Sequence, residues 1–309
     1  MDCSVVLSAR LTGYAKNSIK SYKSGFNLWK QFALKNGLEL FPVNKIELSI
    51  CLINKVENGG SWSTVNQCIN GVKFFHRLFL KTTDKHCVDE QILQFLIKNS
   101  RKPDNKRRPL LKDEFEKIIS VNLNEKSDIV LMRNLCVLIF SWIGFLRYDD
   151  VSQLKWNNVN IEKNVIRLKL YDAKNDKKKK GQSVRFQLNC NLMNIVNNYL
   201  EMAGLFDTVC NDSVYLFFEI DKGCCLYQKR LSYVSMYGLL ISLCEKSGVD
   251  TTKIGTHSLR IGGCTEASRS GIPDYVLDYY GRWALNSTSR ARYQRVLESD
   301  AIKVSDVLN

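Results

Sequence analysis

The sequence predicts a mainly α-helical protein with one small β-sheet, an α+β fold arranged as two blocks. Three observations predict it. Apolar residues recur at steps of three and four through most of the 309 residues. Strand-like alternation is confined to a short region between residues 161 and 188. A basic, proline-bearing stretch without an apolar residue, Lys98 to Pro109, divides the chain. The expected organisation is a helical domain over 1–100, a linker over 101–109 and a larger domain over 110–309.

The first block reads as four helices. Ile19, Tyr22, Phe26, Trp29 and Ala33 form one apolar stripe that stops near Gly37. A second helix starts at Asn44 and turns Ile46, Ile50 and Ile53 inward. A third follows Ser63 and carries Val65, Ile69, Val72 and Phe75 or His76. Ile92, Leu93 and Leu96 mark the fourth. These stripes are read as the core of a small bundle.

The stretch from Lys98 to Pro109 carries two prolines and six basic residues, among them Lys102, Lys106, Arg107 and Arg108. It is a solvated hinge or a strap that lies on phosphates. A short basic run of this kind also resembles a nuclear-import signal. Beyond it, Leu111–Ser120 and Ser127–Trp142 read as helices, the second with Val130, Leu135, Leu138 and Ile139 buried. Ile161 and Val165–Leu170 read as strands and Ser183–Leu188 as the returning strand. Between them lies a lysine-rich tip at 172–182 that includes Lys174, Lys177 and Lys178. Helical signals resume at 191–201, 231–247, 258–270 and 287–298, and Cys224 and Cys225 fall in a loop.

Composition narrows the function. A formal charge of +14 suggests a polyanionic partner. The eleven cysteines show no paired CxxC motifs, and the three histidines, His76, His86 and His257, are too few for a zinc site, so no metal or other cofactor is expected. Cys51, Cys68 and Cys136 fall at apolar helical positions, as reduced thiols do. No 18-residue apolar run occurs, and the first ten residues lack a long apolar core. The expectation is an intracellular protein that does not meet a membrane, nuclear if the host is eukaryotic.

One constellation carries chemistry. Arg147 follows an apolar helix in Ile-Gly-Phe-Leu-Arg-Tyr-Asp-Asp-Val (143–151); His257 and Arg260 share a helical face in Thr-His-Ser-Leu-Arg-Ile-Gly-Gly-Cys (256–264); Gly-Arg-Trp (281–283) and Ala-Arg-Tyr-Gln-Arg (291–295) follow. Only about a thousandth of a tyrosine is ionised at neutral pH. Using Tyr293 on a phosphodiester therefore requires neutralised phosphate charge and a proton for the leaving alcohol. Arginine forks suit the first task, because two donors meet two oxygens and the charge is permanent. His257 could add a hydrogen bond or take the tyrosine proton. A lysine on the hairpin could protonate the departing 5′-oxygen. Taken singly, each has a plainer reading: Arg147 as ion-pair partner of Asp149 or Asp150, His257 as a structural histidine, the lysines as a solvated tip. Order and spacing together favour the chemical one.

This order, Arg…Lys…His-x-x-Arg…Gly-Arg-Trp…Tyr, resembles the tyrosine recombinase (phage integrase) family, in details most of all its crypton-like versions from eukaryotic mobile elements. The resemblance implies that residues 1–100 form a core-binding domain and 110–309 the catalytic domain. It also implies Arg147, Lys174, His257, Arg260, Arg282 and Tyr293 as the catalytic set, with Asp150 and Trp283 in support. Lys102, Lys106, Arg107, Arg108, Lys177 and Lys178 would add DNA affinity. In the family the tyrosine usually stands nine residues after the second histidine position, which is His, Arg, Lys or Trp. Here it stands eleven after Arg282 and ten after Trp283, so either could face the phosphate. The implied activity is site-specific cleavage and rejoining of double-stranded DNA through a 3′-phosphotyrosyl link, with self-association through the tail after Tyr293. A type IB topoisomerase and a non-catalytic DNA-binding descendant are the alternatives.

Overall fold

A computed structural model of the chain describes residues 14–79, 88–101, 106–123, 128–171, 181–207, 213–284 and 288–295. Two compact units divide it, Met1–Asn105 and Lys106–Asn309.

The first unit holds α1 (Lys16–Lys35), α2 (Lys45–Glu57), α3 (Trp62–Phe79) and α4 (Glu90–Asn99). Phe26, Trp29 and Ala33 of α1 are buried against Val65, Cys68, Ile69 and Val72 of α3. The two helices touch through glycines: a Cβ on Gly25 would lie 2.0 Å from the Gln67 carbonyl oxygen, and one on Gly71 2.5 Å from the Phe26 nitrogen. Asn44 caps α2, its Oδ1 accepting from the Ile46 N–H at 2.8 Å. The inward face of α2 differs from the expected one. Leu48, Cys51, Leu52 and Val56 are buried, while Ile46 is 71% exposed and Ile50 is exposed too. Two series at helical spacing run along this helix, and the leucine series is the one that joins the core. His76 is structural: it is buried, and its Nε2 accepts from the Val43 N–H at 3.1 Å.

The second unit is built around α6 (Ile129–Ile143), whose residues from Leu131 to Ser141 are nearly all buried, as expected of a helix apolar on every side. Packed with it are α5 (Lys112–Asn122), α8 (Cys190–Met202), α9 (Tyr233–Lys246) and α10 (Thr256–Arg269). Strands β1 (Val159–Glu162), β2 (Val165–Leu170) and β3 (Gln182–Gln187) form an antiparallel sheet with Arg167 opposite Arg185. Ile166, Leu168, Leu170, Val184 and Phe186 face the core.

Several elements depart from the sequence expectation. A second, two-stranded sheet, β4 (Phe218–Asp221) with β5 (Cys224–Arg230), takes up Cys224 and Cys225, which were expected in a loop. Its turn uses left-handed Lys222 (φ 48°) and Gly223 (φ 83°), the tight-hairpin geometry, but the strand after it is polar and largely exposed and so lacks alternation. Two short helices, α7 (Tyr148–Ser152) and α11 (Asp274–Tyr280), are too brief to show a period. Around Tyr293 the expected helix is replaced, in its described part, by a single 3₁₀ turn, Arg290–Arg292. The Thr265 hydroxyl competes for the backbone there, donating to the Tyr293 carbonyl at 3.3 Å and accepting from the Arg295 N–H at 3.2 Å.

The end of the basic stretch is docked instead of solvated. Arg107 Nη1 donates to the Ile254 carbonyl at 3.0 Å. Arg108 donates to the carbonyls of Thr252 and Asp250 and to Glu114, and Pro109 is buried. Lys106 is exposed, and Lys102 lies outside the described residues. No helix among the described residues is long and apolar enough to cross a membrane.

Candidate active site

Four segments of the second unit meet at one point: the turn after α6, the start of α10, the turn after α11 and the 3₁₀ turn. Glycines let α10 reach it. A Cβ on Gly262 would lie 1.9 Å from the Leu110 carbonyl oxygen, and one on Gly263 2.2 Å from that of Trp142. This contact brings Arg260, on the same turn, to the segment between α6 and α7. Phe145 in that segment is left-handed (φ 49°), an uncommon conformation for a residue with a side chain. Its carbonyl accepts from Arg260 Nη1 and, at 3.2 Å, from Arg282 Nη2. Arg260 Nη2 donates to the Gly281 carbonyl.

Asp150 organises the rest. It stands at the third position of α7, and its Oδ2 accepts from the Arg147 N–H at 2.9 Å, capping the helix that Arg147 begins. The same oxygen accepts from Arg282 Nη2 at 2.9 Å and lies 3.8 Å from Arg147 Nη1. Two guanidinium groups thus share one carboxylate and a third, that of Arg260, is held near them by carbonyls alone, an excess of positive charge in a buried place. Arg260 registers it. Burial above all, then Arg147 and Arg282, push its pKa down to about 9, against the pull of Tyr293 and Asp150. Burial also lowers Arg282, opposed by Asp150. A buried excess of positive charge of this kind can accommodate an anion.

Tyr293 completes the cluster. Its ring lies 4.9 Å from the Arg260 guanidinium carbon, which sits 4.4 Å from the Trp283 ring on the same side chain's other contact. The rings of Tyr293 and Trp283 are 5.3 Å apart, and those of Tyr293 and His257 6.2 Å. His257 is exposed, whereas Arg260, one helical turn on, has no exposed surface. Among the described residues, Arg260 Nε and the Trp283 indole N–H are buried and make no hydrogen bond. Two nearby tyrosines are placed for other work. Tyr280 donates to the Ile143 carbonyl at 2.7 Å and burial raises its pKa to about 12, while Tyr279 is 87% exposed.

The structure therefore brings together Arg147, Asp150, His257, Arg260, Arg282, Trp283 and Tyr293. Arg107 and Arg108 lie apart from this cluster, tied to the loop before α10. Lys174, Lys177 and Lys178 lie outside the described residues, as does the tail beyond Arg295. Sequence reading missed the carbonyls of Phe145 and Gly281, which carry no side-chain signature. It also missed Arg290, whose guanidinium binds Asp278 at 2.8 Å and Asp274 at 2.7 Å and ties the tyrosine turn to α11. The Asp-x-x-x-Asp spacing on one helical face was the available signal. No group of three or more His, Cys, Asp or Glu among the described residues could hold a metal ion.

The sequence profile of the phage integrase family matches residues 108–299, more than half of the chain. The chain belongs to the phage integrase family. No curated protein matches it. Similar solved structures include XerH site-specific recombinase in a post-cleavage complex with its difH substrate, at 17% identity and TM-score 0.65, covering 94% of this chain and 79% of that one. The Tn1549 transposon integrase in complex with transposon right end DNA is 14% identical with TM-score 0.65, over 100% and 99% of the two chains. A lambda integrase dimer bound to a COC′ core site is 14% identical with TM-score 0.59, over 94% and 74%. The mainly helical fold with small sheets is that of tyrosine recombinases.

Proposed function

We propose that this member of the family cuts and rejoins DNA with Tyr293 as its nucleophile, and that Arg147 and Arg260 hold the scissile phosphate. The observation that carries the reading is the tyrosine ring stacked on a buried, over-charged arginine cluster. A phosphodiester brings the negative charge that the cluster lacks, and its extra charge in the transition state is stabilised by donors already in place. The solved relatives that hold DNA support double-stranded DNA as the substrate. Because it works on DNA, the protein would act inside the cell, in the nucleus if its host is eukaryotic.

In the proposed step the Tyr293 oxygen attacks phosphorus and the bond from phosphorus to the 5′-oxygen breaks. The phenolic proton passes to a base, for which His257 stands nearest. The 5′-oxygen takes a proton and leaves as a hydroxyl, and Lys174 is our assignment for that donor. Lys177 and Lys178, with Lys102 and Lys106, then serve affinity. The 3′-phosphotyrosyl bond preserves the phosphoester, so attack by another 5′-hydroxyl rejoins the strand without an outside energy source. Residues 1–100 would grip the same duplex as a core-binding domain, and the tail after Tyr293 would bind a second copy on DNA.

A nicked duplex that loses its short 5′-fragment after cleavage traps the covalent adduct. Peptide mapping should place the junction at Tyr293; a junction at any other residue overturns the assignment.

A further inference from the structure

The outer face of the three-stranded sheet and helix α11 enclose a groove of about 580 Å³ that shares no residue with the cluster around Tyr293. Strand alternation sends Ile166, Leu168, Val184 and Phe186 to the core, so Arg167, Lys169 and Arg185 stand on the opposite face and line the groove. Arg167 and Arg185 are direct cross-strand partners. Like charges in that register repel, and a sheet that keeps them gains from an anion laid between them. Glu162 answers only the first, at 2.5 Å from Arg167; Arg185 is exposed and has no salt bridge among the described residues. The wall opposite is aromatic. Tyr279 is open to solvent, whereas Tyr280 turns into the domain, its hydroxyl donating to the Ile143 carbonyl and its ring 4.9 Å from that of Phe145. The Phe145 carbonyl holds Arg260 and Arg282, so the groove adjoins the arginine cluster through a single residue.

We propose that this groove is a subsite for unpaired nucleotides and holds the 5′-hydroxyl end of the strand released by cleavage, with a phosphate across Arg167 and Arg185 and a base on the Tyr279 ring. The inference rests on the Tyr293 and Lys174 readings above and adds a binding site for one product of the step. Positive charge along a groove and an exposed aromatic ring are what gripping a single strand requires. A duplex would meet the arginines but leave the ring unused, because its bases are stacked on one another. A cut strand differs. Once the bond from phosphorus to the 5′-oxygen is broken, its end is free to leave the stack. Chain connectivity says which strand arrives. Lys174, our donor to the 5′-oxygen, stands on the segment that joins β2 to β3, and those two strands carry the charges of the groove. A 5′-end held there is kept from re-attacking its own phosphotyrosyl bond, which leaves time for a 5′-hydroxyl from another duplex.

Two measurements test this. In the first, a short fluorescent 5′-hydroxyl oligothymidine is bound to the protein and followed by anisotropy. Tyr279→Ala and Arg185→Gln should each weaken binding by roughly 10-fold, the scale of losing one stacked base. Both side chains are exposed, so neither change disturbs the core. Lys229→Gln, which removes an exposed charge of β5 outside the groove, should stay within about 3-fold of wild type, as should all three variants on a duplex. In the second, a duplex captured covalently on the wild type from a randomised pool is rebuilt with 2-aminopurine beside the mapped 5′-oxygen. Stacking quenches this base, so on cleavage it should stay dim in wild type and brighten in Tyr279→Ala. Oligothymidine that binds these variants as tightly as wild type, or fails to bind wild type, overturns the subsite. Equal losses on single strand and duplex overturn it too, as a duplex contact. Displacement by thymidine monophosphate at equal concentration makes the groove a mononucleotide site instead. Equal brightness in wild type and Tyr279→Ala removes the released strand as its occupant. If no adduct forms on any duplex, the Tyr293 reading fails and the released strand falls with it, while the first measurement still decides whether the groove takes unpaired nucleotides.

Discussion

The segment Thr256–Cys264 and the segment from Gly281 to Arg295 build one site by different means. The first is regular helix, locked by glycine contacts at Gly262 and Gly263, with Arg260 held at both Nη atoms by backbone carbonyls. The second has a left-handed arginine, a 3₁₀ turn and a set of side-chain bonds centred on Arg290 and Thr265. Arg260 is placed by the regular part, and Tyr293, the proposed nucleophile, by the irregular one. An enzyme that stabilises a transition state gains from fixed charges. A tyrosine that must meet phosphorus, form a bond and later release it gains from a short tether that can shift.

Breaking this comparison at its largest point means removing the nucleophilic oxygen. Tyr293→Phe should abolish the covalent adduct while duplex affinity, measured by anisotropy, stays within about 3-fold of wild type, because the basic surface is untouched. An adduct that survives this change moves the nucleophile elsewhere. Next in size is the charge. Arg147→Ala and Arg260→Ala should each slow single-turnover cleavage by roughly 10²-fold or more. Lysine at either position should rescue poorly, since a point charge cannot span two oxygens. A lysine variant with full activity would end the case for a two-oxygen clamp there.

Legibility followed the same division. Arg147 follows a long apolar helix and His257 and Arg260 stand three apart in the first turns of another, so their order and spacing in the chain marked them out together. Tyr293 was legible as a residue, but among the described residues around it a 3₁₀ turn stands in place of the expected helix, where the Thr265 hydroxyl and the Arg290 ion pairs hold the backbone. The inward turn of the Arg282 side chain goes with a single positive φ at position 282, a conformation an arginine rarely adopts and that its own residue type does not announce. In the first unit the bundle was readable, but not which isoleucine or leucine series of α2 faces inward, since both have helical spacing. Arg107 and Arg108 read as free charge because the carbonyls that hold them, in the 250–254 loop, are distant in sequence.

A smaller effect should distinguish packing from chemistry on the rigid side. In Gly262→Ala the new methyl would meet the Leu110 carbonyl and the Trp142 indole nitrogen, neither of which is a flexible chain end. Overpacking of this kind costs about 1–3 kcal/mol, measurable as a lower urea midpoint with an unchanged slope. The same substitution at Gly238, on the open side of α9 with nothing within 4 Å, should be neutral or mildly stabilising because alanine is the better helix former. Equal midpoints for the two variants would mean that α10 does not approach the 110 segment as closely as described.

The smallest expected effect lies on the adjustable side. Arg290 joins the tyrosine turn to α11, through Asp278 at 2.8 Å and Asp274 at 2.7 Å, and it also donates to Gln294 at 2.6 Å. Asp274 is well exposed, so that half of the network is screened by solvent and contributes little; the pair with the partly buried Asp278 contributes more. Arg290→Gln should therefore loosen the turn by about 1 kcal/mol, or roughly 5-fold in single-turnover cleavage at saturating DNA. Global stability should change little, because no buried apolar side chain is altered. Added salt should narrow the gap between variant and wild type as the pairs weaken in both. If instead Arg290→Gln cleaves as slowly as Arg260→Ala, the tether is part of the catalytic apparatus and the nucleophile is held as rigidly as the charges around it.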